Sequence, residues 1–129
     1  MLKLKPDAEK LNLSLLQIES INDLIFELFH FPNLKEVDLS CNRIKSLPKD
    51  LSILSTVERL DLSNNLFLDL EQVLFSLNTM PALKELNISY DPSELKHTLG
   101  FYLPKLEVIN GSVIKSGGEP TLANPVVVV

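Results

Sequence analysis

The chain of 129 residues has the length of one small domain, which can bury most of its surface on folding but leaves no room for a second. Its 12 lysines and arginines against 17 acidic residues give a formal net charge of −5, which argues against a nucleic-acid-binding face. A lone cysteine, Cys41, favours an intracellular location, cytoplasmic or nuclear, and the apolar runs are too short to predict a signal peptide or a membrane span.

Leucine occupies 27 positions, and it recurs in a pattern. Five segments align on the spacing LxxLxLxxN, the last of them truncated, and their starts are separated by 26, 23, 26 and 23 residues. These segments begin at Ala8, Leu34, Val57, Leu83 and Leu106. The spacing predicts tandem repeats of one structural unit, so that each unit buries its apolar face against its neighbours.

Each segment predicts one short strand. Side chains alternate in a strand, so the apolar pairs two residues apart point into the core and their neighbours point outward. The inward pairs are Val37 and Leu39, Leu60 and Leu62, and Leu86 and Ile88. Strands that repeat in one direction form a parallel sheet, and each pair needs a crossover connection.

The crossovers carry apolar residues at steps of three and four, as a helical face does. The sets are Ile21, Leu24, Ile25 and Leu28, then Leu47, Leu51 and Leu54, then Leu70, Val73, Leu74 and Leu77. They predict three short helices packed on one side of the sheet. Phe26, Phe29 and Phe75 lie in these segments and are assigned to the core, with surface contact as the alternative.

The ninth position of the pattern is asparagine in two repeats, at Asn42 and Asn65. A side-chain amide there can donate to and accept from backbone groups that the turn leaves unpaired. Leu16 and Asp91 replace asparagine in the first and fourth units. We therefore expect a degenerate first repeat and an altered fourth turn, since terminal repeats are commonly atypical.

Over residues 8 to 114 this sequence resembles the leucine-rich repeat family. The segment FYLPKLEVINGSVI is similar to the cap that closes intracellular members, with Asn110 before Gly111 where aspartate is usual. The resemblance implies an α/β fold, namely a short right-handed solenoid with the parallel sheet on its concave face and short helices on its convex face. It places a leucine-rich repeat domain at 1–114.

Residues 115–129 have a different composition, with two glycines, two prolines and no helical period. We expect a flexible tail here. Its last residues, Val126 to Val129, resemble an apolar C-terminal ligand of a PDZ domain, in which an extended end adds to a sheet edge. A disordered or self-associating end is the alternative.

Catalytic chemistry finds little support in the sequence. A nucleophile needs a base nearby, and the two histidines, His30 and His97, lie in segments predicted to be structural. Cys41 has no second cysteine or nearby histidine with which to hold a metal, and no glycine-rich phosphate loop is present. The sequence predicts no enzyme, no cofactor and no metal.

The outward side chains of the predicted strands remain, and they form a polar, mildly acidic surface. Repeat proteins commonly hold partners on such a surface, and an aromatic residue among small polar ones often anchors an interface. The predicted partner-binding residues are Lys10, Glu36, Asp38, Ser40, Arg59, Asp61, Ser63, Glu85, Asn87 and Tyr90. A merely solvated face is the alternative.

The sequence and the resemblance suggest three functions, and they are not equally well supported. The first is a non-enzymatic module that binds a partner protein on the concave face. The second is a regulatory or targeting subunit of a catalytic assembly such as a phosphatase, which the resemblance allows. The third, RNA contact as in mRNA-export relatives, conflicts with the acidic outward face. The sequence favours a protein partner, without nucleic acid or membrane.

Overall fold

The computed structural model describes residues 7–90 and 98–114, and the histidine at 97, the turn at Asp91 and the tail with its PDZ-like end lie outside them. The described residues form one six-stranded sheet whose strands follow sequence order, the first five parallel and the last antiparallel to its neighbour. The strands are β1 (Lys10–Asn12), β2 (Glu36–Asp38), β3 (Arg59–Asp61), β4 (Glu85–Asn87), β5 (Val108–Ile109) and β6 (Ser112–Val113). This arrangement is an α/β repeat fold.

The core lies against one face of the sheet. The middle residues of the strands pair in register and are buried, and so are the apolar residues two positions later, which confirms the predicted inward pairs. The first row is Leu11, Val37, Leu60, Leu86 and Ile109, and the second is Leu13, Leu39, Leu62 and Ile88. One strand per repeat therefore stacks leucine on leucine and makes a continuous apolar layer.

The crossovers differ in helical content. In the first repeat of 26 residues, a 3₁₀ turn (Ile21–Leu24) continues into α1 (Ile25–Leu28). In the third, also 26 residues long, Asp69 caps α2 (Leu70–Leu77) by accepting from the N–H groups of Glu71 and Gln72.

The predicted helix of the second crossover is wrong in part. Only a 3₁₀ turn (Ser52–Leu54) forms, and Leu47 and Leu51 are buried outside any helix. Pro48 disfavours a helical conformation at Leu47, the residue before it. Residues 98–102 are also helical, in the crossover that precedes β5.

The assignment of three phenylalanines to the core is also wrong. Phe26 is 77% exposed, Phe29 66% and Phe75 58%. In α2 the buried stripe consists of Val73, Leu74 and Leu77, and the helical period turns Phe75 away from it. Apolar residues spaced three and four apart mark only the buried face of a crossover. The phenylalanines do not belong to that set, and they lie on the solvent side.

The sheet ends in a tight hairpin. Asn110 and Gly111 connect β5 to β6 with positive φ angles of 50° and 82°, the combination that a two-residue turn of mirror-image type requires. Asn110 also accepts a hydrogen bond from the Ile88 N–H through its Oδ1, at 2.8 Å. The asparagine therefore serves both the turn and the preceding repeat.

Cys41 occupies a strained position. Its φ of 58° lies in the left-handed region, which costs an ordinary L-residue roughly 1 kcal/mol and which asparagine tolerates. Asn64 has a φ of 56° at the same position of the next repeat. We therefore expect Cys41→Asn to raise the free energy of unfolding by about 0.5–1 kcal/mol in urea titrations. Cys41→Ala keeps the strain and should bring no such gain; equal stabilisation by both would contradict this explanation.

Candidate functional site

A groove of about 540 Å³ runs across the outward face of strands β1 to β4. We call this surface the polar sheet face. Its charged and amide side chains are Lys10, Asn12, Glu36, Asp38, Arg59, Asp61, Glu85 and Asn87. Seven of the ten residues predicted to bind a partner lie in this groove, because strands in register place equivalent positions side by side.

The first row of the polar sheet face alternates in charge along Lys10, Glu36, Arg59 and Glu85, which pair in register. Lys10 Nζ lies 3.6 Å from Glu36 Oε2, and Arg59 Nε donates to Glu36 Oε1 at 3.3 Å. Exposed pairs of this kind contribute at most about 1 kcal/mol to folding. Their main effect is to orient the side chains at this end of the groove and to neutralise Glu36.

The second row contains Asn12, Asp38, Asp61 and Asn87, so two carboxylates sit on neighbouring strands. Asp38 Oδ1 accepts from both the N–H and the hydroxyl of Ser40, at 2.9 and 2.6 Å. Asp61 holds Ser63 in the same way, at 3.0 and 2.6 Å. Both carboxylates are thus fixed in orientation by the turn that follows their strand.

These turns were not foreseen, although the sequence contains their signal, an Asp or Asn two residues before a serine. Asn12 holds Ser14 by the same two bonds, through an amide oxygen instead of a carboxylate. The turn therefore requires an acceptor oxygen at this position but no charge.

Three predicted residues lie outside the groove. Ser40 and Ser63 flank it, with their hydroxyls donating to Asp38 and Asp61. Tyr90 is half-buried against the core, and its hydroxyl donates to the Phe67 carbonyl at 3.4 Å. Tyr90 therefore packs partly against the core and lies outside the groove, and its role as an aromatic anchor stays a prediction.

The two asparagines at the ninth repeat position make hydrogen bonds to the backbone of the turns that follow the strands. Asn42 accepts from the Leu16 and Ile18 N–H groups at 3.1 and 3.0 Å and donates to the carbonyls of Leu13, Leu39 and Ser40. Asn65 accepts from Ile44 N–H and donates to the carbonyls of Leu39, Leu62 and Ser63. Each satisfies backbone groups of its own turn, as predicted, and in addition joins that turn to the preceding repeat.

Groups with catalytic or metal-binding potential are sparse in the described part of the chain. Residues 7–90 and 98–114 contain no cluster of His, Cys, Asp or Glu that could hold a metal ion. His30 is exposed, and its Nδ1 donates to the Phe26 carbonyl at 2.9 Å. The exposed Cys41 Sγ lies 3.7 Å from Asn64 Nδ2, a weak contact. Over the same ranges, no helix is long and apolar enough to cross a membrane.

Comparison with known proteins agrees with the repeat geometry. No curated protein matches the chain. Residues 32–92, somewhat less than half of it, match the family model described as Leucine rich repeat, and this segment contains β2, β3 and β4. Domains of this family commonly mediate protein–protein interaction and are typically non-enzymatic. Residues 32–92 of this chain are therefore leucine-rich repeats.

Proposed function

We propose that this chain is a non-enzymatic module that binds a partner protein inside the cell. In this proposal the repeats form a short right-handed solenoid, the polar sheet face is its concave side, and the partner docks there. The observation that carries the proposal is the groove of about 540 Å³ over four strands, with six charged side chains along it. A surface that is both concave and lined by oriented charges suits a protruding element of another protein.

The charges of the polar sheet face also indicate the chemistry of the partner. Glu36 is already neutralised by Lys10 and Arg59. Among the described residues, Asp38 and Asp61 take part in no ion pair, and their hydrogen bonds to serine leave their negative charge uncompensated. We expect the partner to bring basic side chains to these two carboxylates, which would steer association and fix the register of docking.

Removing the two charges tests this proposal. Reversing them to lysine would also break the turns at Ser40 and Ser63, whereas Asp38→Asn with Asp61→Asn keeps an acceptor oxygen, as Asn12 does. We expect this double variant to keep the wild-type denaturation midpoint but to bind the partner at least about tenfold more weakly. The measurement is quantitative affinity capture from cells, with the bound proteins identified by mass spectrometry.

A matched control is Asp7→Asn with Glu107→Gln, which removes two exposed charges outside the groove. It should capture the partner as the wild type does. Equal capture by the groove variant and the wild type would overturn the proposal. Recovery of a catalytic subunit, such as a phosphatase, by the wild type but not by the groove variant would identify the chain as a regulatory or targeting subunit.

A further inference from the structure

A second surface, on the first crossover, combines exposed aromatic residues with acidic ones. Phe26 and Phe29 are three residues apart on the helical segment, so they are neighbours on its surface, and they are 77% and 66% exposed. Exposing two large aromatic side chains together costs solvation free energy that a soluble chain usually avoids. We call the surface around them the first-crossover patch.

A groove of about 340 Å³ runs beside Phe29, between the first and second crossovers. Its apolar wall consists of Leu28, Phe29, Phe31, Pro32 and Ile53, and three hydroxyl residues of the second crossover line the rest. The second crossover is short and nearly without helix, so it leaves the side of the first crossover uncovered. Thr56 Oγ1 already donates to the Leu34 carbonyl at 2.7 Å. The groove can accept one apolar side chain of a docked segment while the hydroxyls of Ser52 and Ser55 meet its backbone.

The acidic side chains beside this groove lie on the first crossover. Residues 11–34 contain Glu19, Asp23 and Glu27 but no lysine or arginine, and all three carboxylates are exposed. In the part of the chain that the structure describes, none of them forms an ion pair, whereas Lys35 just beyond pairs with Glu58 at 3.6 Å. The first crossover therefore carries negative charge without a lysine or arginine of its own, while Lys49 and Asp50 of the second crossover are of opposite charge, so the surface as a whole is complementary to a basic ligand.

We propose that the first-crossover patch is a second docking surface, which binds a basic peptide segment of a partner protein. An apolar side chain of that segment enters the groove beside Phe29, and flanking lysines or arginines face Asp23 and Glu27. Aromatic residues beside a pocket are the usual anchors of such interfaces, and the carboxylates supply selection for positive charge. This surface shares no residue with the polar sheet face, so variants can test the two surfaces separately.

Fluorescence anisotropy of the full chain with three labelled synthetic peptides tests the proposal. The first has a central leucine flanked by lysines, the second has glutamates in place of the lysines, and the third has serine in place of the leucine. We expect binding of the first peptide only. Phe29→Ser should weaken it by roughly 30-fold, and Glu27→Lys by about tenfold at low salt.

The matched controls change a phenylalanine and a glutamate that are exposed outside the first-crossover patch. Phe75→Ser removes an exposed phenylalanine from α2, and Glu107→Lys reverses an exposed charge beside β5. Both should bind the first peptide as the wild type does, and so should Asp38→Asn with Asp61→Asn, since that variant alters only the polar sheet face. This last comparison separates failure of the present proposal from failure of the proposed function.

Several outcomes would overturn the proposal. Equal binding of the leucine and serine peptides would mean that charge alone attracts them, and unchanged binding by both Phe29→Ser and Glu27→Lys would place the peptide elsewhere. Concentration-dependent self-association in sedimentation velocity, lost in Phe29→Ser, would make a second copy the occupant instead. Glu27→Lys alters only an exposed side chain, so it tests the surface even if Phe29→Ser lowers stability.

Discussion

Replacing Leu62 or Leu86 by alanine should lower the free energy of unfolding by about 2–5 kcal/mol. Both side chains are 1% exposed, and each belongs to a row in which every repeat contributes one apolar residue. Truncation leaves a cavity that neighbouring repeats cannot close without shifting their strands, so the loss combines transfer and cavity terms. Urea titration followed by circular dichroism measures the difference from the wild type.

The control for this prediction lies next to Leu62 in the sequence. Ser63 faces outward, and its hydroxyl makes one hydrogen bond, to Asp61 at 2.6 Å. Ser63→Ala should therefore cost about 1 kcal/mol or less. A larger loss for Ser63→Ala than for Leu62→Ala would mean that the two faces of the sheet are assigned the wrong way round.

Asn42→Ala and Asn65→Ala should each destabilise the fold by about 1–3 kcal/mol, with the larger effect at Asn42. Asn42 is 6% exposed, and its amide serves backbone groups of two adjacent turns. Alanine leaves these buried donors and acceptors without a partner, which costs more than the bonds themselves contribute. Asn65 makes one bond fewer and is less buried.

Asn87→Ala serves as the control for the asparagine prediction, because Asn87 is exposed on the polar sheet face. It should change the denaturation midpoint little. If Asn42→Ala and Asn65→Ala behaved like Asn87→Ala, the ninth repeat position would not bind the turns together, and the repeat register assumed for both would be wrong.

The sheet and its register could be predicted because they follow from one repeated rule. A period-two pattern inside each repeat assigns Leu60 and Leu62 to the core and Arg59 and Asp61 to the solvent, and repetition at nearly constant spacing aligns the strands. Most of the candidate site followed from the same rule, since the outward positions of aligned strands must lie side by side.

The remaining features depend on backbone preferences and side-chain packing at single positions, which the repeat pattern does not describe. Leu47, Leu51 and Leu54 have helical spacing, but Pro48 disfavours helical backbone at Leu47, and only the 3₁₀ turn Ser52–Leu54 forms. The packing of half-buried Tyr90 against the core likewise does not follow from the repeat pattern. The exposed Phe26 and Phe29 contradict the assumption that large aromatic residues in a crossover are buried.

The central claim, that a partner binds on the polar sheet face, is tested most directly by site-specific photo-crosslinking. A photoreactive amino acid replaces Asn87 in the groove or, as a control, Phe75, which is exposed on α2. The proposal predicts that the captured partner crosslinks from position 87 and not from position 75. Crosslinking from position 75 alone, or equally from both, would contradict it.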